Sequence, residues 1–130
     1  MSNKQGFTLI ELLIVIVILG ILAALVIPKI SNTTYRSYFA AMEADLKNLA
    51  NQQEIYYASE YSYTAEKSDL AFISSRDVSI SVNADSEGWS ATATHVALEP
   101  IEGCSIYHGS IPTPTLLVPP SAPDEVACTR

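Results

Sequence analysis

The chain has 130 residues, 48% of them hydrophobic, and a formal net charge of −7. That length accommodates one domain, and the acidic balance, with no basic strip and no glycine-rich phosphate loop, argues against a nucleic-acid or nucleotide site. The apolar residues are unevenly spread, with a large share of them near the N-terminus.

The first six residues, MSNKQG, carry one positive charge and end in Gly6. From Phe7 to Ile27 the sequence is FTLIELLIVIVILGILAALVI, uncharged except at Glu11. As a helix this stretch would be about 31 Å long, enough to cross a hydrocarbon core of about 30 Å. A carboxylate inside it costs roughly 2.5–3.5 kcal/mol on insertion scales, so Glu11 needs a partner. Lys4 and Lys29 lie too far along the helix to serve. No small-x-small cleavage site follows the apolar run, which ends at Ile27-Pro28-Lys29, so an ordinary secretory signal is disfavoured. A cut between Gly6 and Phe7 would keep the apolar helix and free an α-amine at Phe7, four residues from Glu11. The new amine would supply the missing cation.

Residues 6–30, GFTLIELLIVIVILGILAALVIPKI, resemble the N-terminal segment of type IV pilins and the related pseudopilins of type II secretion, through Gly6-Phe7-Thr8-Leu9-x-Glu11 ahead of an unbroken apolar run. The resemblance covers roughly the first 30 residues. It implies removal of residues 1–6 by a membrane-embedded prepilin peptidase, N-methylation of Phe7, and pairing of Glu11 with the N-terminal amine of a neighbouring subunit during filament assembly. Residues 7–29 would then be the membrane-spanning and filament-core helix. Loss of Lys4 leaves six basic against 14 acidic side chains, a net charge of −8.

Gly20 and Pro28 punctuate this helix. Proline removes an i→i−4 hydrogen bond and kinks a helix, so the isolated subunit is expected to keep a kinked but continuous helix, while the resemblance implies that the stretch between these two residues can unwind in a filament. Beyond it, Tyr35, Tyr38, Met42, Leu46, Leu49, Gln53 and Tyr56 recur at helical spacing. They predict an amphipathic helix over 30–58 whose stripe must be covered by the rest of the chain, downstream of residue 58.

Residues 59–69 read as a polar loop, with a short apolar piece at 70–73. Val78, Ile80 and Val82 alternate with polar residues, Trp89 to Val96 alternates small residues with threonines, and Cys104 to Tyr107 is a short third strand. Residues 83–88 supply turn chemistry for a hairpin between the first two. The expected class is α+β: a long N-terminal helix packed on an antiparallel sheet of three to four strands in sequential order, in a globular region spanning 59–130.

The tail, 110–130, holds five of the seven prolines and reads as irregular. The two cysteines, Cys104 and Cys128, lie far downstream, as expected if that end is exported and oxidised. Loop charge leaves orientation open, since Lys4 precedes the apolar run and Lys29 and Arg36 follow it. A Cys104–Cys128 bridge would hold the tail against the third strand and stabilise by about 3–4 kcal/mol on the chain-entropy model. Two free thiols, or a Cys104–His108 metal pair, are the alternatives. Type IV pilins carry a comparable C-terminal disulfide loop.

Other features are weighed against plainer readings. His95 and His108 have no serine or cysteine tied to them, and sheet packing accounts for them better than catalysis. The tyrosines at 35, 38, 56, 57, 61 and 63 fit packing and subunit contacts better than electron conduction. Asn32-Thr33-Thr34 and Thr113-Pro114-Thr115 are candidate glycan sites. Asp85, Glu87, Asp124 and Glu125 could contribute to a calcium site, as in major pseudopilins, but lack EF-hand spacing and read as solvated loop acids. No cofactor is expected.

The expectation is therefore a non-enzymatic structural subunit, the major pilin of a type IV pilus serving adhesion, twitching motility or DNA uptake. Its partners would be copies of itself in a helical filament, the prepilin peptidase and the inner-membrane assembly machinery. The precursor would sit in the bacterial inner membrane with its C-terminal domain periplasmic, and the assembled filament would be extracellular. A type II secretion pseudopilin is the alternative, and a membrane-anchored periplasmic enzyme or binding module a further one.

Overall fold

The computed structural model describes residues 2, 5–111 and 119–129. The proposed glycan site at Thr113-Pro114-Thr115 lies outside them. The chain comprises two compact units, Met1–Arg36 and Ser37–Arg130. One helix, α1 (Leu9–Glu60), contributes to both.

In the first unit α1 has no packed face. From Phe7 to Ile30 no large apolar side chain is less than 50% exposed, so nothing within this unit covers the stripe. The helix runs unbroken through Pro28. Pro28 has no N–H to offer the Ala24 carbonyl, and Thr33 and Thr34 return their hydroxyls to the carbonyls of Lys29 and Ile30 at 3.0 and 3.1 Å.

The second unit is built on the helix stripe and a four-stranded antiparallel sheet, β1 (Val78–Ala84), β2 (Gly88–His95), β3 (Cys104–Gly109) and β4 (Ala127–Cys128), in sequential order. Register places Ile80 opposite Ala93 and Val82 opposite Ala91. It also places Trp89 opposite His108 and Ala91 opposite Ile106. Alternation then gathers the apolar side chains of the sheet with Phe39, Met42, Leu46 and Leu49 in a single core. Alanines at 91 and 93 keep the centre of β2 thin, which leaves room for Trp89 and for the helix above. At the end of the β2–β3 ladder Gly88 faces Gly109. Gly109 has φ +74°, and a Cβ there would strike the Glu87 carbonyl, so only glycine fits.

The predicted stripe is displaced slightly. Phe39 and Asp45 are buried, whereas Tyr35 remains exposed, because the packed face begins only where the sheet does. The tail is not wholly irregular: β4 pairs with β3, with Cys104 directly opposite Cys128, and the two sulfurs are bonded. The alternatives of free thiols and of a Cys104–His108 metal pair are thereby set aside.

The connection from α1 to β1 is pinned at three places. The buried Gln53 donates its Nε2 to the Thr64 carbonyl at 2.6 Å and accepts the Thr64 N–H on Oε1 at 3.2 Å. Asp45 accepts the N–H and hydroxyl of Ser75 at 2.7 and 2.8 Å. Lys67, in a short 3-10 turn (Lys67–Asp69), donates its Nζ to the Ile80 carbonyl at 2.8 Å, which occupies one acceptor on the free edge of β1.

Candidate functional site

The head of α1 is where sequence and geometry converge. Thr8 precedes the first helical residue, and Glu11 stands three residues later. The Thr8 N–H and hydroxyl both donate to Glu11 Oε2 at 2.8 Å, and the Glu11 N–H reaches back to Thr8 Oγ1 at 3.4 Å. This is a capping box, in which hydroxyl and carboxylate satisfy each other's backbone donors at a helix N-terminus. The negative charge also lies at the positive end of the helix dipole.

That geometry corrects one expectation, that Glu11 finds a partner only outside the segment or in a new N-terminal charge. Thr8 is a local partner. The signal for it is the Thr-x-x-Glu spacing, which a search for cations alone passes over. The capping box solvates the carboxylate with donors but leaves its charge uncompensated, so a cation is still the stronger partner.

Gly6, Phe7, Gln5 and Glu11 line one shallow recess of about 200 Å³. The proposed scissile peptide and the proposed assembly carboxylate therefore share a surface. A Cβ added at Gly6 would meet nothing within 4 Å, and the same holds at Gly20. Neither glycine is required by packing inside the subunit. At Gly20 the consequence is a helix weakened by roughly 1 kcal/mol relative to alanine.

The second unit holds a polar cluster that joins four segments. His108 on β3 pairs through Nδ1 with Asp124 Oδ1 at 2.7 Å, and its Nε2 lies 3.8 Å from Glu54 Oε1 on the helix. The Tyr63 hydroxyl donates to the same Glu54 oxygen at 3.3 Å, and its ring meets the His108 ring edge-on at 5.4 Å. Burial first, and the Glu54 charge second, push the Tyr63 phenol up to about 12. His95 instead stacks on Tyr38 at 4.2 Å between ring centroids. Tyr57 stacks on Tyr63 at 4.7 Å and meets Tyr61 edge-on at 6.5 Å.

The four acids considered for calcium do not converge. Asp85 Oδ1 accepts the N–H groups of Glu87 and Gly88 at 2.7 and 2.9 Å, closing the β1–β2 turn. Asp124 is engaged with His108, and Glu125 accepts the Ser121 hydroxyl at 3.0 Å. Among the described residues, no group of three or more His, Cys, Asp or Glu side chains is arranged to hold a metal ion.

Comparison with known proteins places these observations. Residues 1–27 match the family described as Prokaryotic N-terminal methylation motif. The chain is 43% identical over 70 residues to the type IV wide pilus major component PilA4 of Thermus thermophilus, covering 54% of this chain and 53% of that protein. It is 35% identical over 68 residues to the type II secretion system core protein G of Pseudomonas aeruginosa, covering 52% and 48%. Against the type IV major pilin protein PilA of Myxococcus xanthus it is 36% identical over 74 residues, covering 57% and 34%. The matches span about half the length of the first two relatives and a third of the last. The resemblance to pilins and pseudopilins is real, and it extends beyond the motif itself.

Proposed function

We propose that this chain is a structural subunit, the major pilin, of a type IV pilus. The observation that carries the reading is an apolar helix with no packed face in its own unit, headed by Gly6-Phe7 and a lone carboxylate in one recess. Residues 1–6 act as a leader removed by a prepilin peptidase in the bacterial inner membrane. Phe7 becomes the N-methylated first residue, and the inner-membrane assembly machinery moves subunits from lipid into a helical filament. There residues 7–29 form the core, 30–58 continue as the amphipathic helix, and 59–130 form the shell, periplasmic before assembly and extracellular after it. Glu11 exchanges part of its bonding to Thr8 for the amine of a neighbouring Phe7, and Gly20 and Pro28 mark where the core helix can unwind. The role is mechanical, without catalysis.

A pseudopilin of type II secretion is the second reading, supported by the relatives named core protein G. The disulfide-closed tail and the dispersal of the loop acids favour the pilus. Mass spectrometry of sheared surface filaments tests the choice, with N-methyl-Phe7 expected as the first residue. A chain found only in the envelope of a secreting cell would move the assignment to the pseudopilus, and a leader still present in polymer would remove both readings. Replacing Glu11 by Ala is expected to leave membrane insertion intact and to reduce polymer yield by about tenfold or more, an order-of-magnitude figure for losing one desolvated charge pair. Unchanged yield would strip the carboxylate of its role.

A further inference from the structure

A chain of net charge −8 after leader removal repels its own copies, so any packed array of them needs places where cations meet anions. Among the described residues from 37 onward the cations are Lys47, Lys67 and Arg76. Lys67 is bonded to the Ile80 carbonyl, and Lys47 lines a cavity of about 520 Å³ with Glu54, His108 and Asp124. Arg76 is exposed and makes no hydrogen bond or ion pair with any described residue of its own chain. Beside it Ile73 is 92% exposed. The short segment bearing both is held firmly, since Ser75 is clasped by Asp45 and the Ser75 carbonyl accepts the Val78 N–H at 3.2 Å. It is an apolar and cationic knob on a fixed stem.

A complementary surface lies at the end of α1. Tyr57 and Tyr61 expose their rings, Tyr61 at 78%, in a row that continues through Tyr63. Tyr61 has φ +57°, an uncommon conformation for a bulky residue, which turns the chain out of the helix directly at this surface. Glu54 and Glu60 stand three residues either side of Tyr57 on the helix, and the last turn of α1 contains no basic residue to offset the negative end of its dipole. Exposed aromatic faces bordered by carboxylates suit a guanidinium, which stacks on a ring while pairing with acids at its edge.

The two surfaces stand at different levels. Asp45, which anchors the knob, precedes Tyr57 by 12 residues, about 18 Å along a helix. A second copy displaced along the helix direction brings them to one level. Such a contact joins unlike surfaces and so can repeat from copy to copy, as a filament requires and a two-fold dimer does not.

We propose that the Ile73–Arg76 segment of one copy docks on the Tyr57–Tyr61 surface of the next, Arg76 lying over the tyrosine rings between Glu54 and Glu60. The contact rests on the filament reading and adds a shell interface to the helical core. Zero-length carbodiimide coupling of filaments made from the Arg76→Lys variant tests it, because that substitution keeps the charge and introduces an amine. The expected product is a ladder of covalent multimers, with an amide between position 76 of one copy and Glu54 or Glu60 of another, absent from unsubstituted filaments. Charge reversal supplies a second readout. Arg76→Glu or Glu60→Arg alone should lower filament yield about tenfold, as expected for one cation–π and ion-pair contact per added subunit, and the two together should restore it. Filaments that form normally with every variant and give no such link would overturn the docking contact while leaving the pilus reading intact. If the unsubstituted chain forms no filament under any condition, both fall together.

Discussion

Gln53 offers the sharpest test of how the second unit is held together. Its amide is fully buried and satisfies both backbone groups of Thr64, at 2.6 and 3.2 Å. Replacing it by Leu strands one N–H and one C=O, each costing about 1–3 kcal/mol, while the added apolar area returns about 1 kcal/mol. A net loss of about 3 kcal/mol results. Spread over the 94 residues from Ser37 to Arg130, that corresponds to a fall in Tm of roughly 12–24 °C. The single tryptophan, Trp89, is fully buried in the same unit, so its fluorescence during thermal unfolding of the full chain in detergent reads this core and not the apolar helix. A Gln53→Glu variant separates bonding from volume. Its carboxylate can still accept the Thr64 N–H but presents a second acceptor to the Thr64 carbonyl. It should be as destabilised as the Leu variant at neutral pH, and should recover part of the loss in acid, once protonation creates a donor. A Leu variant melting within about 4 °C of the parent, a shift worth less than about 1 kcal/mol, would refute the argument.

The same unit yields two further expected outcomes. Tyr63 keeps its proton in the native state up to about 12, whereas an unfolded tyrosine ionises near about 10. The unfolded state therefore releases a proton first, and the contribution of Tyr63 is complete below about pH 10 and lost as pH rises towards 12. Urea midpoints measured across that window should fall more steeply in the parent than in Tyr63→Phe, and parallel slopes would exclude the effect. Replacing Cys104 and Cys128 together by Ser should remove about 3–4 kcal/mol on the chain-entropy model and speed proteolysis within 119–129; equal protection with and without the bridge would show that β4 pairing alone secures the tail.

Much of the fold is legible from the amino acids because the patterns are long or chemically unambiguous. A run of 21 residues with one charge has few interpretations, and the alternation in Val78, Ile80 and Val82 fixes a half-buried strand as written. The features without a sequence signal are set by partners distant along the chain. Asp45 has the pattern of a solvent-facing acid, yet it is buried because Ser75, 30 residues on, supplies two donors. β4 has only two residues and no periodicity to detect; it exists because Cys128 is drawn against Cys104. His108 reads as a packing residue and Asp124 as a loop acid with some claim on calcium, and their sequence does not join them. Their pairing is supported by a long-range backbone bond in which the Asp124 N–H donates to the Tyr107 carbonyl at 2.8 Å, and no local signal announces it.

The two units also explain why so few residues can decide assembly. In the second, the core side chains are already enclosed by the chain itself, so that core gains nothing from a neighbour. In the first, every large apolar residue from Phe7 to Ile30 must be covered from outside. Lipid does this about as well as other helices, because hydrocarbon tails are as apolar as leucine. Moving such a helix from membrane to bundle is then close to neutral in hydrophobic terms, and the choice falls to whatever differs between the two surroundings. Along residues 7–27 only Glu11 differs, a carboxylate that Thr8 can solvate locally but that only a cation can neutralise. On the proposed filament, that one side chain tips the balance between storage in the membrane and growth of the polymer, which is why its substitution should cut polymer yield about tenfold or more while leaving the core of the second unit intact.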